Sequence, residues 1–73
     1  MKTVYRYYTI YRTPMPGAVP LDGLDRVSCY DTRQNVGNGI SAYGFAEYIR
    51  PLTDKEISDY ELAPSPNNPL QYA

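Results

Sequence analysis

Apolar and polar side chains alternate from the first residues of the chain. Thr3 to Arg12 places Val4, Arg6, Tyr8, Ile10 and Arg12 on one side and Thr3, Tyr5, Tyr7, Thr9 and Tyr11 on the other, which is the period of a β-strand. The β-branched and aromatic content suits a pleated, half-buried surface, so this stretch reads as a long first strand. Val4, Tyr8 and Ile10 are its expected core face. The opposite row of tyrosines and threonines is expected to face outward, with packing beneath the C-terminal segment as the alternative, because a phenol carries a polar tip.

The pattern then breaks. Thr13 to Pro20 holds Pro14, Pro16 and Pro20, which remove ladder donors, and Gly17, which permits a turn, so an extended loop is predicted. Leu21 and Leu24 pin a second turn at Asp22-Gly23. A second strand is expected from Arg26 to Arg33. Asn35 to Gly39 supplies the positive φ angles of a tight hairpin, and a third strand follows from Ile40 to Ile49. Tyr43, Phe45 and Ile49 are its expected packed set, with Gly44 as a site where a bulge could switch faces.

The clearest helix signal begins at Leu52-Thr53-Asp54-Lys55-Glu56-Ile57. Thr53 can cap, Glu56 can close a capping box, and Leu52 and Ile57 occupy the positions of a hydrophobic staple. Asp54 and Glu56 add negative charge at the positive end of the helix dipole. Pro64 and Pro66 stop the element, so it is predicted from Asp54 to Tyr60. Glu61 to Ala63 can add a short edge strand. The expected fold is therefore α+β: a small three-stranded antiparallel sheet, one short C-terminal helix, and an extended or disordered Pro-rich tail over 64–73 following a single domain over 1–63.

Composition narrows the chemistry. A chain of 73 residues with nine tyrosines, no histidine and one cysteine cannot form an intramolecular disulfide, a Ser/His or Cys/His nucleophilic pair, or a cysteine and histidine metal site. Cys29 beside Val27 reads as a buried small hydrophobe. Lone cysteine usage and the lack of a long apolar run make the cytoplasm the expected compartment, with neither export nor membrane insertion indicated. Carboxylate pairs Asp22 with Asp25, and Asp31 with Glu47, could raise a pKa for acid/base work, but solvated surface acids are the default in so small a chain. Gly37-Asn38-Gly39-Ile40-Ser41-Ala42 matches a dinucleotide-binding pattern in letters only, because it should open a helix and here precedes a strand. Pro66 and Pro69 likewise match a polyproline ligand spacing in letters. No catalytic residue, metal or cofactor is expected.

The net charge is −1, yet residues 1–12 carry Lys2, Arg6 and Arg12 without an acid, and residues 53–73 sum to −3. Either the two ends neutralise each other or they form separate patches that meet a partner. Tyrosine and arginine are the residues that most often anchor protein interfaces. Tyr5, Tyr7, Tyr11 and Arg12 are accordingly the expected anchors, with Asp54, Glu56, Asp59 and Glu61 steering the chain to a basic partner surface. A single-stranded nucleic-acid binder using the same strand is the rival, since base stacking on aromatic rings is worth about 1–3 kcal/mol per base. It ranks lower because the total charge is not basic.

Two stretches, Tyr11-Arg12-Thr13-Pro14-Met15-Pro16-Gly17 and Arg50-Pro51-Leu52-Thr53-Asp54-Lys55-Glu56 followed by Tyr60-Glu61-Leu62, resemble short uncharacterised proteins carried by phages and other mobile elements of Gram-positive bacteria. The resemblance implies a non-enzymatic protein that binds and blocks a host machine, such as a defence nuclease or another nucleic-acid-binding protein. It carries over no site residue. A homodimer sharing a sheet edge is a further expectation, since a thin sheet leaves apolar surface to cover.

Overall fold

The computed structural model describes residues 2–15, 17–37 and 39–72. The strands are β1 (Lys2–Thr9), β2 (Leu24–Gly37), β3 (Ile40–Tyr48), β4 (Leu62–Pro64) and β5 (Leu70–Tyr72), with helix α1 (Asp54–Asp59) between β3 and β4. All pairings are antiparallel, in the order β2-β3-β1-β4, with β5 also on β1. The protein is therefore mostly β. The α+β expectation of a three-stranded sheet with a Pro-rich tail is corrected by the two short C-terminal strands, which share one edge of β1: Lys2 to Val4 pairs with Tyr72 to Leu70, and Tyr7 to Thr9 pairs with Pro64 to Leu62.

Arg6 lies between those two pairings, and a side chain completes the ladder there. Asn68 accepts the Arg6 N–H at 2.7 Å and donates its amide to the Arg6 carbonyl at 2.8 Å, and Ser65 N–H adds a third bond to that carbonyl at 2.9 Å. Proline and asparagine at 64–69 thus interrupt the strand without leaving the Arg6 backbone unpaired.

With β3 on its other edge, β1 becomes the central strand, and both of its faces are covered. Tyr7, Ala46, Tyr48, Val19, Leu52 and Leu62 form one buried cluster, against which Tyr5, Ile57 and Tyr60 pack. Tyr8, Ala42 and Phe45 form the other, flanked by Tyr30, Val36 and Ala63. The tyrosine row expected to face outward is instead the face beneath the helix. The physical reason lies in the phenol tips. Leu52 N–H donates to the Tyr7 hydroxyl at 2.9 Å, and the Tyr48 hydroxyl donates to the Pro20 carbonyl at 2.6 Å, so both rings are buried with their oxygens satisfied. The two rings meet edge to face, 5.9 Å apart.

The local signals for the helix are realised. Thr53 caps it, Glu56 closes the capping box, Leu52 is buried and Ile57 packs on the core. The hairpin places Gly37 opposite Ile40, with positive φ at both Gly37 and Gly39; Asn38 lies outside the described residues. The irregularity lies in β2 and not at Gly44 of the third strand, where a bulge could have switched faces: the register of β2 shifts between Cys29 and Gln34 opposite Gly44 and Ala42. Gly44 itself is required by space. A Cβ there would lie 2.2 Å from the Ser28 carbonyl oxygen and 2.6 Å from the Pro14 ring, because the loop crosses the strand at contact distance. Cys29 is exposed, contrary to its buried expectation, and its thiol donates to the Pro14 carbonyl.

Candidate interaction surface

The structure separates the eight expected contact residues. Tyr7 is only 4% exposed and Tyr5 is half-buried against the same cluster, so these two are framework. Tyr11 follows the end of β1, where the chain leaves the sheet, and is 65% exposed. With Ile10, Arg33, Gly39, Ile40 and Ser41 it lines a shallow groove of about 230 Å³. Arg33 is fixed in that groove by a 3.0 Å bond to the Ile10 carbonyl and by stacking 5.0 Å over the Tyr43 ring. Arg12 and Glu61, both exposed, form an ion pair next to Tyr11 in sequence. Tyr11, Arg12 and Glu61 are therefore one locus.

The helix carries the other acids. Glu56 is committed to structure: it accepts two bonds from Arg50 at 2.9 and 2.8 Å and one from Thr53 N–H at 3.0 Å. These bonds hold its carboxyl down at about 2, with the Arg50 guanidinium as the largest cause. Asp59 pairs with Lys55 one turn away at 2.6 Å, a contact that raises the lysine. Asp54 is exposed in the first turn and enters no ion pair among the described residues. Among the described residues, charge from the two ends of the chain meets only at Arg12 and Glu61; Lys2 turns to Asp25 at 2.7 Å and Arg6 turns to Glu47.

Neither carboxylate pair considered for acid/base work is assembled. Asp22 lies 3.5 Å from Arg50 and Asp25 pairs with Lys2, so a cation sits against each. Asp31 falls in the irregular stretch of β2, while Glu47 faces Arg6 across the ladder.

That last pairing is the feature sequence reasoning missed. Glu47 is 1% exposed. Its Oε2 accepts Arg6 Nε at 2.9 Å, Arg6 Nη2 at 2.7 Å and the Tyr72 hydroxyl at 2.6 Å, while Arg26 approaches Oε1 at 3.9 Å. The Arg6 guanidinium also lies 4.1 Å above the Phe45 ring. Desolvation, the largest single influence, lowers the Arg6 pKa, but the interactions with Glu47, Tyr8 and Tyr72 together outweigh it and leave the guanidinium raised. Opposite charges at matched positions of strands one and three were the available signal.

These features define a small, mostly β protein with an exposed tyrosine locus and an acidic helix, both on shallow surface. Among the described residues no helix is long and apolar enough to cross a membrane. No curated protein and no solved structure matches the chain. The chain belongs to the Defence against restriction A C-terminal family, a phage-associated anti-restriction family whose model matches residues 2–67 and so spans β1 through β4. The phage part of the resemblance is thereby shown; its Gram-positive part is no property of the family match.

Proposed function

We propose that this protein is a non-enzymatic inhibitor that shields phage DNA by binding a host restriction protein on a surface that handles nucleic acid. The observation that carries the reading is the family match, which covers nearly the whole fold and concerns defence against restriction. The geometry supports a binding role. Tyr11 offers a large exposed ring beside a shallow groove with an oriented arginine, the composition that anchors protein interfaces. Asp54 supplies exposed negative charge in the first turn of the helix, outside any ion pair among the described residues, which favours encounter with a basic surface; Asp59 and Glu61 are exposed beside it but share their charge with Lys55 and Arg12.

The test is transformation of a restricting strain with unmodified plasmid. Expression of the protein should raise transformant numbers at least tenfold, and Tyr11→Ala should remove that gain while the melting temperature stays within about 2 °C of the parent, as expected for an exposed side chain. Transformation that is equal with and without the protein would refute the reading. Tight binding of the purified protein to DNA that weakens steeply with salt would favour the nucleic-acid rival instead.

A further inference from the structure

The start of β3 outruns its neighbour. β3 begins at Ile40, yet β1 pairs with it only as far as Thr9 opposite Gly44, and the chain then bends away through Ile10 and Tyr11. The space left there is the groove of about 230 Å³, with Ile10 and Tyr11 on one side and Gly39, Ile40 and Ser41 on the other. Arg33 reaches it from the irregular stretch of β2, where the register slips between Cys29 and Gln34. Its guanidinium lies 5.0 Å over the Tyr43 ring of β3, and its Nη2 donates to the Ile10 carbonyl at 3.0 Å, so the side chain crosses β3 to line the groove.

The charge of Arg33 has no internal counterpart. Every other lysine and arginine of the chain enters an ion pair, whereas Arg33 enters none among the described residues. Its one hydrogen bond there uses Nη2 and a neutral carbonyl, which leaves Nε and Nη1 without a partner among the described residues. Because the ring and the carbonyl already hold the guanidinium plane, an incoming acid would meet a preorganised donor fork. Half-buried Ile10 and Ile40 give the groove apolar walls, and the exposed Tyr11 ring stands at its rim. What this arrangement suits is one compact negative charge and not a run of them. Leu62 opposite Thr9 sets Glu61 at the end of β1, where it pairs with Arg12, and the chain as a whole carries −1, so a string of phosphates would meet repulsion around a single unmatched cation.

We propose that the groove between Tyr11 and Arg33 receives a single carboxylate side chain of the restriction protein, an aspartate or glutamate with an apolar neighbour. The guanidinium of Arg33 takes the acid in a charge-assisted pair, and Ile10, Ile40 and Tyr11 cover the apolar neighbour. Against a partner surface that is otherwise basic, this one contact of opposite sign fixes the orientation in which the protein docks. The proposal rests on the inhibitory reading above and names what its exposed locus would hold.

The plasmid assay tests it with Arg33→Gln and Arg33→Glu. Both change an exposed side chain and should stay folded, with melting temperatures within about 5 °C of the parent. Arg33→Gln should lose at least fivefold of the protection, and Arg33→Glu should lose all of it. The second arm replaces acids of the restriction protein by lysine one at a time and keeps the variants that still restrict when the inhibitor is absent. At least one of these should restore protection by Arg33→Glu and weaken protection by the parent, a rescue that a purely structural role for Arg33 would not produce. Folded Arg33 variants that protect as well as the parent would overturn the proposal, even with Tyr11→Ala inactive, and would leave the inhibitory reading in place. Variants that fail to fold, or a complete lysine scan without a rescue, would overturn it as well. Binding of the purified parent to a DNA oligonucleotide that Arg33→Glu abolishes would assign the groove to phosphate instead. Absence of protection by the parent would remove the inhibitory reading and this proposal with it.

Discussion

Replacing Arg6 by alanine would strip the charge partner from a carboxylate that has almost no access to water. Glu47 is 1% exposed and takes two of its bonds from the Arg6 guanidinium, with a third from Tyr72. Removing one member of a buried pair costs about 3–5 kcal/mol, because the remaining charge keeps its desolvation cost without its Coulombic partner. Loss of the guanidinium from the Phe45 face adds about 0.5–1 kcal/mol. A domain of this length has a total stability of roughly 4–11 kcal/mol, at 0.05–0.15 kcal/mol per residue, so Arg6→Ala should bring the protein close to its unfolding threshold. Tyr72→Phe removes one charge-assisted bond and should cost about 1.5–3 kcal/mol. The double variant Arg6→Ala/Glu47→Gln should be more stable than Arg6→Ala alone, since it no longer buries an unmatched charge. Urea unfolding monitored by circular dichroism measures all three from the midpoint, with an unchanged m-value expected for each. A cost below about 1 kcal/mol for Arg6→Ala, or a double variant no better than the single, would refute the view that this pair closes the second face of the sheet.

Tyr7→Phe keeps the ring but leaves the buried Leu52 N–H without its acceptor, and should cost about 1–3 kcal/mol in chemical denaturation, whereas Tyr11→Ala should stay within about 0.5 kcal/mol of the parent. Gly44→Ala forces a methyl to 2.2 Å from the Ser28 carbonyl oxygen and should destabilise by about 1–3 kcal/mol, read by calorimetry as a fall of roughly 4–24 °C in Tm. Glu56 has a carboxyl held at about 2, below its ordinary 4.5, so its contribution is complete above pH 4.5 and fades as the pH falls toward 2. Glu56→Gln should therefore flatten the loss of stability over that interval, and a parent and variant with parallel pH profiles would contradict the assignment.

Legibility differed from element to element for physical reasons. The three long strands and the helix are marked by signals that act within a few residues: alternation, an Asn-Gly turn, and a capping box with its staple. The short edge strand expected over Glu61–Ala63 is realised as β4, one residue on, whereas β5 lies beyond the prolines and beside Asn68, whose contact with the Arg6 backbone joins positions 62 apart and is marked by no local pattern. The exposure of the tyrosine row turned on the same kind of information. A phenol can be buried at little cost when a distant backbone group meets its oxygen, and neither the Leu52 N–H nor the Pro20 carbonyl is visible as a partner from alternation alone. The Arg6 and Glu47 match was within reach, because setting strand one antiparallel to strand three brings those charges opposite one another. Of the expected surface residues, Tyr11, Arg12, Asp54, Asp59 and Glu61 remain outside, while Tyr5 and Tyr7 inside the strand pattern and Glu56 in the capping box are framework.

The pairing of Lys2 with Tyr72 has a kinetic corollary. The strand at the middle of the sheet is synthesised some sixty residues ahead of the segments that complete its second edge. Such distant closure raises contact order, so folding should be governed by a late docking event in place of stepwise growth from the N-terminus. A nascent chain arrested before residue 60 should remain protease-sensitive, and protection should arrive abruptly once the final strands have emerged.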